Sequence, residues 1–228
     1  MLTIYRSIAI ATALSMVLEQ VLLSRLARYL WTADSQFGFK RAHGTEMAIF
    51  ALKQAVDFYR NQDTPVYMCF LDANKAFDRV NHWTLAKKLL DRNVPLHIVK
   101  LSIFWYREQE FMVRWGNSLP MIFRCANGIR QGWQLSPLLY NVYTDDLNHH
   151  LQATGVGYYV GGAWVNSLSY GVTYTHGNCS LDTLGGISRI CWTSWHCIQH
   201  NENSMYAGPA KAIIGSVLNK SQARKWGT

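Results

Sequence analysis

The segment "TPVYMCFLDANKAFDRVNH", residues 64–82, restricts the possible folds more than any other part of the chain. An apolar run follows Pro65 and ends at Asp72, the pattern of a buried strand, and the chain then turns into a helix. A carboxylate at the end of a buried strand is held by rigid backbone while its tip reaches an open cleft, which suits a divalent metal. Nucleotidyl transfer needs such a group, because two divalent ions stabilise the attacking and leaving oxygens. Phe77 follows at a distance that can wall the same pocket, whereas Asp78 points elsewhere on the turn. The plainer alternative is that Asp72 caps a helix starting at Asn74–Lys75.

A second stretch, "NGIRQGWQLSPLLYNVYTDD", covers residues 127–146. Arg130 and Gln131 precede Gly132, a residue type that lets backbone approach a ligand closely. Arginine suits phosphate oxygens, and glutamine suits a base or sugar edge. The alternative is an ordinary loop entering a helix.

Around these stretches the periodicity predicts alternating helices and strands. "SIAIATALSMVL" has the length of a signal-peptide core behind a basic residue, but is too short to span a bilayer. Leu18, Leu22, Leu26 and Leu30 recur at helical spacing, with Glu19, Arg25 and Arg28 elsewhere on the wheel, so an amphipathic helix on a protein core is the favoured reading. A second helix is expected with Thr45 as N-cap and Met47, Ile49, Leu52, Val56 and Phe58 on its apolar face. Residues 82–109 read as two helices broken near Pro95, and residues 110–129 as two strands joined around Gly116–Asn117. Ser136 and Pro137 open a further helix, and a hairpin turns on Gly161–Gly162. Trp164, Val165, Leu168 and Tyr170 then sit where a strand would face a core. Without a regular βαβ repeat, the class is α+β.

Composition adds bounds. The 228 residues make one large domain or two small ones, and 49% hydrophobic against 16% charged residues excludes a disordered chain. A formal charge of +8 suits a polyanionic partner such as nucleic acid. Five cysteines, an odd number without C-x-x-C, fit a reducing compartment inside the cell, cytoplasm or nucleus. Cys191, His196 and Cys197 lack the spacing of zinc ligand pairs.

Taken together and in order, these stretches resemble the reverse transcriptase domain of non-LTR (LINE-type) retrotransposons. "YRSIAIATALSMVLEQVLLSRL" is similar to the first fingers block and "QFGFKRAHGTEMAIFAL" to the block that follows it. "FLDANKAFDRVNH" resembles the first palm motif and "GIRQGWQLSPLLYNVYTDDL" the second, so the likeness runs from about residue 4 to Tyr170. It implies a right-hand polymerase fold, RNA-templated DNA synthesis and dependence on Mg²⁺. It places Asp72 on the catalytic metals and makes Phe77 the steric gate against a ribonucleotide 2′-hydroxyl. Arg130, Gln131 and Gly132 fall against the incoming nucleotide and its template base, and Asp78 supports the motif. Trp133 stands where these elements often carry another residue. The implied partners are an RNA template, a DNA primer and a deoxynucleotide, with no membrane and no obligate protein partner.

The family's third motif, Tyr-x-Asp-Asp on a hairpin turn, is what "NSLSY" leads to, and it is missing. "YTDD" at Tyr143–Asp146 is no substitute, because it falls inside the helix begun by "LSPLLYNV". Back-translating Arg189–Lys211 and reading from the second base of each codon gives a string resembling the family's next palm element. Trp192 and Trp195 must then give Gly, Glu202 gives Lys or Arg, and Gln199 gives Asn or Ser. A frameshift after Tyr170 is the expectation.

The expected organisation is a fingers-like helical part at 1–64, a palm at 65–170 with fingers strands inserted near 110–127, and an off-frame, poorly ordered tail at 171–228. No counterpart of the family's thumb, endonuclease or zinc knuckle is expected, nor a strand after Tyr170 to cover the palm sheet. Two functional readings remain: a catalytically defective polymerase fragment, and a non-enzymatic nucleic-acid-binding remnant.

Overall fold

The computed structural model of the chain describes residues 10–73, 75–113, 117, 121–165, 167–170, 173–178 and 211–217. In chain order the first elements are α1 (Ala13–Leu26), α2 (Thr45–Arg60), β1 (Val66–Asp72), α3 (His82–Asp91) and α4 (Leu96–Arg107). Next come β2 (Glu110–Phe111), β3 (Phe123–Arg124), α5 (Leu135–Ala153), β4 (Tyr158–Val160) and β5 (Ala163–Val165). β6 (Ser167–Tyr170), β7 (Thr173–Asn178) and β8 (Lys211–Val217) complete the series, with single 3-10 turns at Ala27–Tyr29 and Phe77–Arg79. Cys191, His196 and Cys197 lie outside the described residues, as do Gly116 and the start of the signal-like segment. Among the described residues no helix is long and apolar enough to cross a membrane.

The chain divides into two compact units, Met1–Trp31 with Lys75–Tyr143, and Thr32–Asn74 with Thr144–Thr228. In the first, Thr12 caps α1 by accepting from Ser15 N–H, and Leu22 and Leu26 are buried. Glu19 is buried too, although the spacing of the leucines places it away from the core; its carboxylate accepts from Leu135 N–H at 2.8 Å. A helix N-terminus leaves N–H groups without intrahelical partners, and that need draws the acid inward. Asn81 caps α3 through Trp83 N–H and Thr84 N–H, and Pro95 marks the break before α4 as expected. Leu85 and Leu89 of α3 and Val99, Ile103 and Tyr106 of α4 are buried.

The second unit is built on an antiparallel sheet of order β6-β7-β1-β8. α2 packs Ala55, Leu52, Val56 and Tyr59 against Val66, Met68 and Phe70 of β1 and Tyr158 and Val160 of β4. Its N-cap is Gly44 rather than Thr45, and Met47, Ile49 and Phe58 are exposed. The strip that fits β1 and β4 runs through positions 52, 55, 56 and 59, a 3.6-residue period from which 47 and 58 depart; Ile49 continues it toward the helix start but is exposed. The β4–β5 hairpin turns on Gly161 and Gly162 as expected; φ is positive at both, 58° and 84°, which glycine adopts freely.

Two expectations about the sheet are corrected. On β6 the buried residues are Ser167 and Ser169, while Leu168 is half-buried and Tyr170 exposed. Ser169 exchanges backbone hydrogen bonds with Ser35 and Phe37, and its hydroxyl lies 3.1 Å from Asn148 Oδ1 in α5, so small polar residues fit that face. The sheet also has strands after Tyr170: β7 pairs with both β6 and β1, and β8 covers the other side of β1. Ladder hydrogen bonds use backbone groups that every non-proline residue carries, so an open β1 recruits strands with little demand on their sequence.

Candidate nucleotide site

Asp72 is the last residue of β1, as the sequence predicts for the end of the buried run. The ladder sets its Cα opposite Thr173 on β7 and Lys211 on β8. Asn74 lies outside the described residues; the next element is the 3-10 turn Phe77–Arg79, whose N-cap is Ala76.

Phe77, Arg130, Gln131 and Gly132 all belong to the first unit, whereas Asp72 belongs to the second. Within the first unit the two motif stretches are laced by backbone. Ile129 N–H donates to Phe77 O at 2.9 Å, and Gly128 N–H donates to Val80 O at 2.8 Å. His82 Nε2 lies 2.7 Å from Gly128 O. Gly128 has φ +100°, and a Cβ there would stand 3.0 Å from both Asp78 Cα and Asp78 O. Only glycine allows the chain to pass so close to the Asp78 backbone. Asp78 itself is exposed on the turn. Burial lowers the His82 pKa, opposed by its bond to Gly128 O and reinforced by the nearby Arg107 charge, so the ring is neutral at pH 7.

The Phe77 ring stacks on Tyr140 of α5, with centroids 5.1 Å apart and planes at 26°. Tyr140 is fully buried, so it backs the half-exposed Phe77 from inside the unit. Arg130 is enclosed by aromatic rings: its guanidinium carbon lies 3.7 Å from the Trp133 centroid, 5.1 Å from Trp105 and 5.8 Å from Phe111. Its Nε–H donates to Gln109 Oε1. Burial pulls its pKa down to about 10, with Tyr106 and Glu19 acting in the opposite sense, and it remains a fixed cation at neutral pH. Gln131 is half-buried, and Gly132, exposed with φ +95°, uses the conformational freedom that the sequence suggests.

Sequence reading missed Tyr140, Trp105, Gln109 and Phe111, because residues that brace a site from other elements carry no local motif. Gly128 and His82 lie within the quoted stretches, yet their pairing depends on a close approach that spacing does not encode. Tyr143–Asp146 lies within α5, as expected. Asp145 is buried, its Oδ1 accepting from Ala33 N–H at 2.9 Å and its Oδ2 3.4 Å from His149 Nε2.

Comparison with known proteins decides the family. The model of the family described as "Reverse transcriptase (RNA-dependent DNA polymerase)" matches residues 2–160. The chain belongs to the reverse transcriptase family. Its relatives place it with the domains of non-LTR retrotransposons. It is 32% identical over 149 residues to a probable RNA-directed DNA polymerase from transposon BS of Drosophila melanogaster, covering 63% of this chain and 16% of the relative. It is 31% identical over 157 residues to the RNA-directed DNA polymerase from mobile element jockey of the same species, covering 67% and 17%. With the Pol polyprotein of retrotransposable element R2 of Popillia japonica it shares 28% identity over 168 residues, covering 73% and 24%. The chain therefore spans between 16% and 24% of the length of these relatives.

Solved structures agree on the fold. Telomerase from Candida tropicalis, in complex with a fragment of telomeric RNA, superposes with a TM-score of 0.57 at 14% identity, covering 90% of this chain and 34% of that one. Telomerase from Candida albicans gives 0.56 at 11% identity, covering 89% and 34%. A mixed helix-and-strand reverse transcriptase fragment of fingers and palm accounts for both the topology and the family match.

Reverse transcriptases depend on divalent metal ions. In this chain the register neighbours of Asp72 are a threonine and a lysine, which bring no carboxylate. Among the described residues no group of three His, Cys, Asp or Glu comes together. A pair of divalent ions needs several oxygen donors, and of these three register positions only Asp72 is of a carboxylate residue type.

Proposed function

We propose that the chain is a fragment of a non-LTR retrotransposon RNA-directed DNA polymerase that retains the nucleotide-facing half of the site and has lost synthesis. In this reading Asp72 occupies the position of the metal-binding palm aspartate and Phe77 that of the steric gate. Arg130, Gln131 and Gly132 contact the incoming deoxynucleotide and its template base, Asp78 supports the first motif, and the partners are an RNA template and a DNA primer. Residues 1–64 act as the fingers-like part, 65–170 as the palm, and 171–228 as an off-frame tail.

The observation that carries the loss of synthesis is the β6–β7 pairing. β6 ends at Tyr170 and β7 starts at Thr173, leaving Gly171 and Val172 between them, with β7 beside β1. This is where the family carries Tyr-x-Asp-Asp; counting from Tyr170, Val172 and Thr173 take the two aspartate positions. A single carboxylate cannot hold two ions in the geometry that in-line displacement requires.

Primer extension on an RNA template with Mg²⁺ tests this. The expected result is no extension above background; extension abolished by Asp72→Ala would overturn it. Genomic sequence across the Tyr170 codon tests the frameshift separately, since an uninterrupted family frame there is incompatible with an off-frame tail.

A further inference from the structure

The outward faces of α3 and α4 take no part in the nucleotide site. Trp83 is 65% exposed and Phe104 is 64% exposed, whereas Tyr106 and Trp133 of the same unit are buried. On α3, exposed Lys87 follows Trp83 by four residues; on α4, exposed Lys100 precedes Phe104 by four and exposed Arg107 follows it by three. Residues at these intervals lie on one helix face. The two helices are joined across this face by Arg107, whose guanidinium carbon lies 5.2 Å from the Trp83 ring centroid.

The charge of the pair is one-sided. α3 and α4 carry Lys87, Lys88, Lys100 and Arg107, against the single acid Asp91 at the end of α3. Glu108, the next residue after α4, is paired with Arg124 at 3.2 Å. Exposed aromatic rings interleaved with cations match a flexible polyanion with stackable rings: aromatic side chains take the bases, and the cations take the phosphates. An apolar protein surface would leave those cations unmatched.

We propose that this α3–α4 face binds single-stranded RNA, with Trp83 and Phe104 stacking bases and Lys87, Lys100 and Arg107 meeting phosphates. The choice of RNA rests on the family reading above; the stacking and charge argument does not. The surface is distinct from Asp72, Phe77 and Arg130 in residues and in chemistry, since it needs no metal and no nucleotide triphosphate.

Fluorescence anisotropy of a labelled, unstructured RNA 12-mer against the full 228-residue chain provides the test. Trp83→Ala and Phe104→Ala are each expected to weaken binding about tenfold, while Tyr159→Ala, another exposed ring, leaves it unchanged. Joint replacement of Lys87 and Lys100 by Gln should lower the slope of log affinity against log salt by roughly 0.7 for each phosphate that is no longer neutralised. Circular dichroism checks that the variants fold; the exposed position of both rings predicts that they do. Unchanged RNA affinity in the Trp83→Ala/Phe104→Ala double variant overturns the proposal. So does tighter binding of the matching DNA 12-mer through the same residues, or sedimentation showing that these rings join two copies of the chain. The outcome is independent of whether the chain extends a primer, so failure of this proposal and failure of the polymerase reading are distinguishable.

Discussion

Glu19 of α1 accepts a hydrogen bond from the backbone N–H of Leu135, 116 residues further along, and so caps the helix that carries Tyr140 behind Phe77. The carboxylate is 5% exposed and stands at a helix N-terminus, where negative charge is favoured. Glu19→Ala removes both the acceptor and the charge and should lower unfolding free energy by about 2 kcal/mol. Glu19→Gln keeps an acceptor and should cost about half as much. Urea denaturation followed by circular dichroism checks the order, and equal losses in the two variants would contradict it.

Gly128 should be the least replaceable glycine among those whose surroundings are described. Alanine there faces both a left-handed φ of +100° and a backbone contact at 3.0 Å with Asp78, which no rotamer can relieve. Gly155→Ala has the same kind of φ, +67°, but open space around it. Gly155→Ala is therefore expected to cost about 1 kcal/mol and Gly128→Ala clearly more, with a lower melting temperature as the readout.

His82 makes stability depend on acid. Its folded pKa is lowered, chiefly by burial, while in the unfolded chain the ring titrates near the ordinary value of about 6.5. Above that value both states are neutral and the full stability is present. As pH falls below it the unfolded chain takes up the proton first, so stability drops until the folded pKa is passed. The denaturation midpoint should fall between pH 7 and pH 5, and His82→Gln should flatten that decline.

The ends and turns of several elements were legible in the sequence, while the contacts between elements stayed hidden. Asp72 at the end of a nine-residue run from Thr64 needs only the apolar character and length of that run to be placed, and β1 ends there. Pro95 and the Gly161–Gly162 pair act on their own backbone, so their effects are local and readable. Glu19, Gly128 and Tyr140 respond instead to groups 116, 50 and 63 residues away, at Leu135, Asp78 and Phe77. The alternation of β6 misled for a similar reason: Ser169 is buried because segment 35–37 and Asn148 meet it, and neither is visible from "NSLSY". Strands β7 and β8 were missed because a backbone ladder can form without a hydrophobic period in the added strand.

The register of β1 with β7 turns the missing motif into a repair experiment. Thr173 is opposite Asp72, and antiparallel partners on one face stand about 5 Å apart at Cβ, close enough for carboxylates to share an ion. The double change Val172→Asp with Thr173→Asp should therefore create a site for Mn²⁺, seen by titration calorimetry or by relaxation of solvent protons. Adding Asp72→Ala to that variant should remove it. Lys211 is the register partner of Asp72 on β8, and a cationic residue type near a metal site disfavours a bound cation, so Lys211→Ala is expected to tighten Mn²⁺ binding in the repaired chain. If the unaltered chain already binds Mn²⁺ in a way that Asp72→Ala abolishes, carboxylates from elsewhere complete the site, and the loss of synthesis must be sought in another residue.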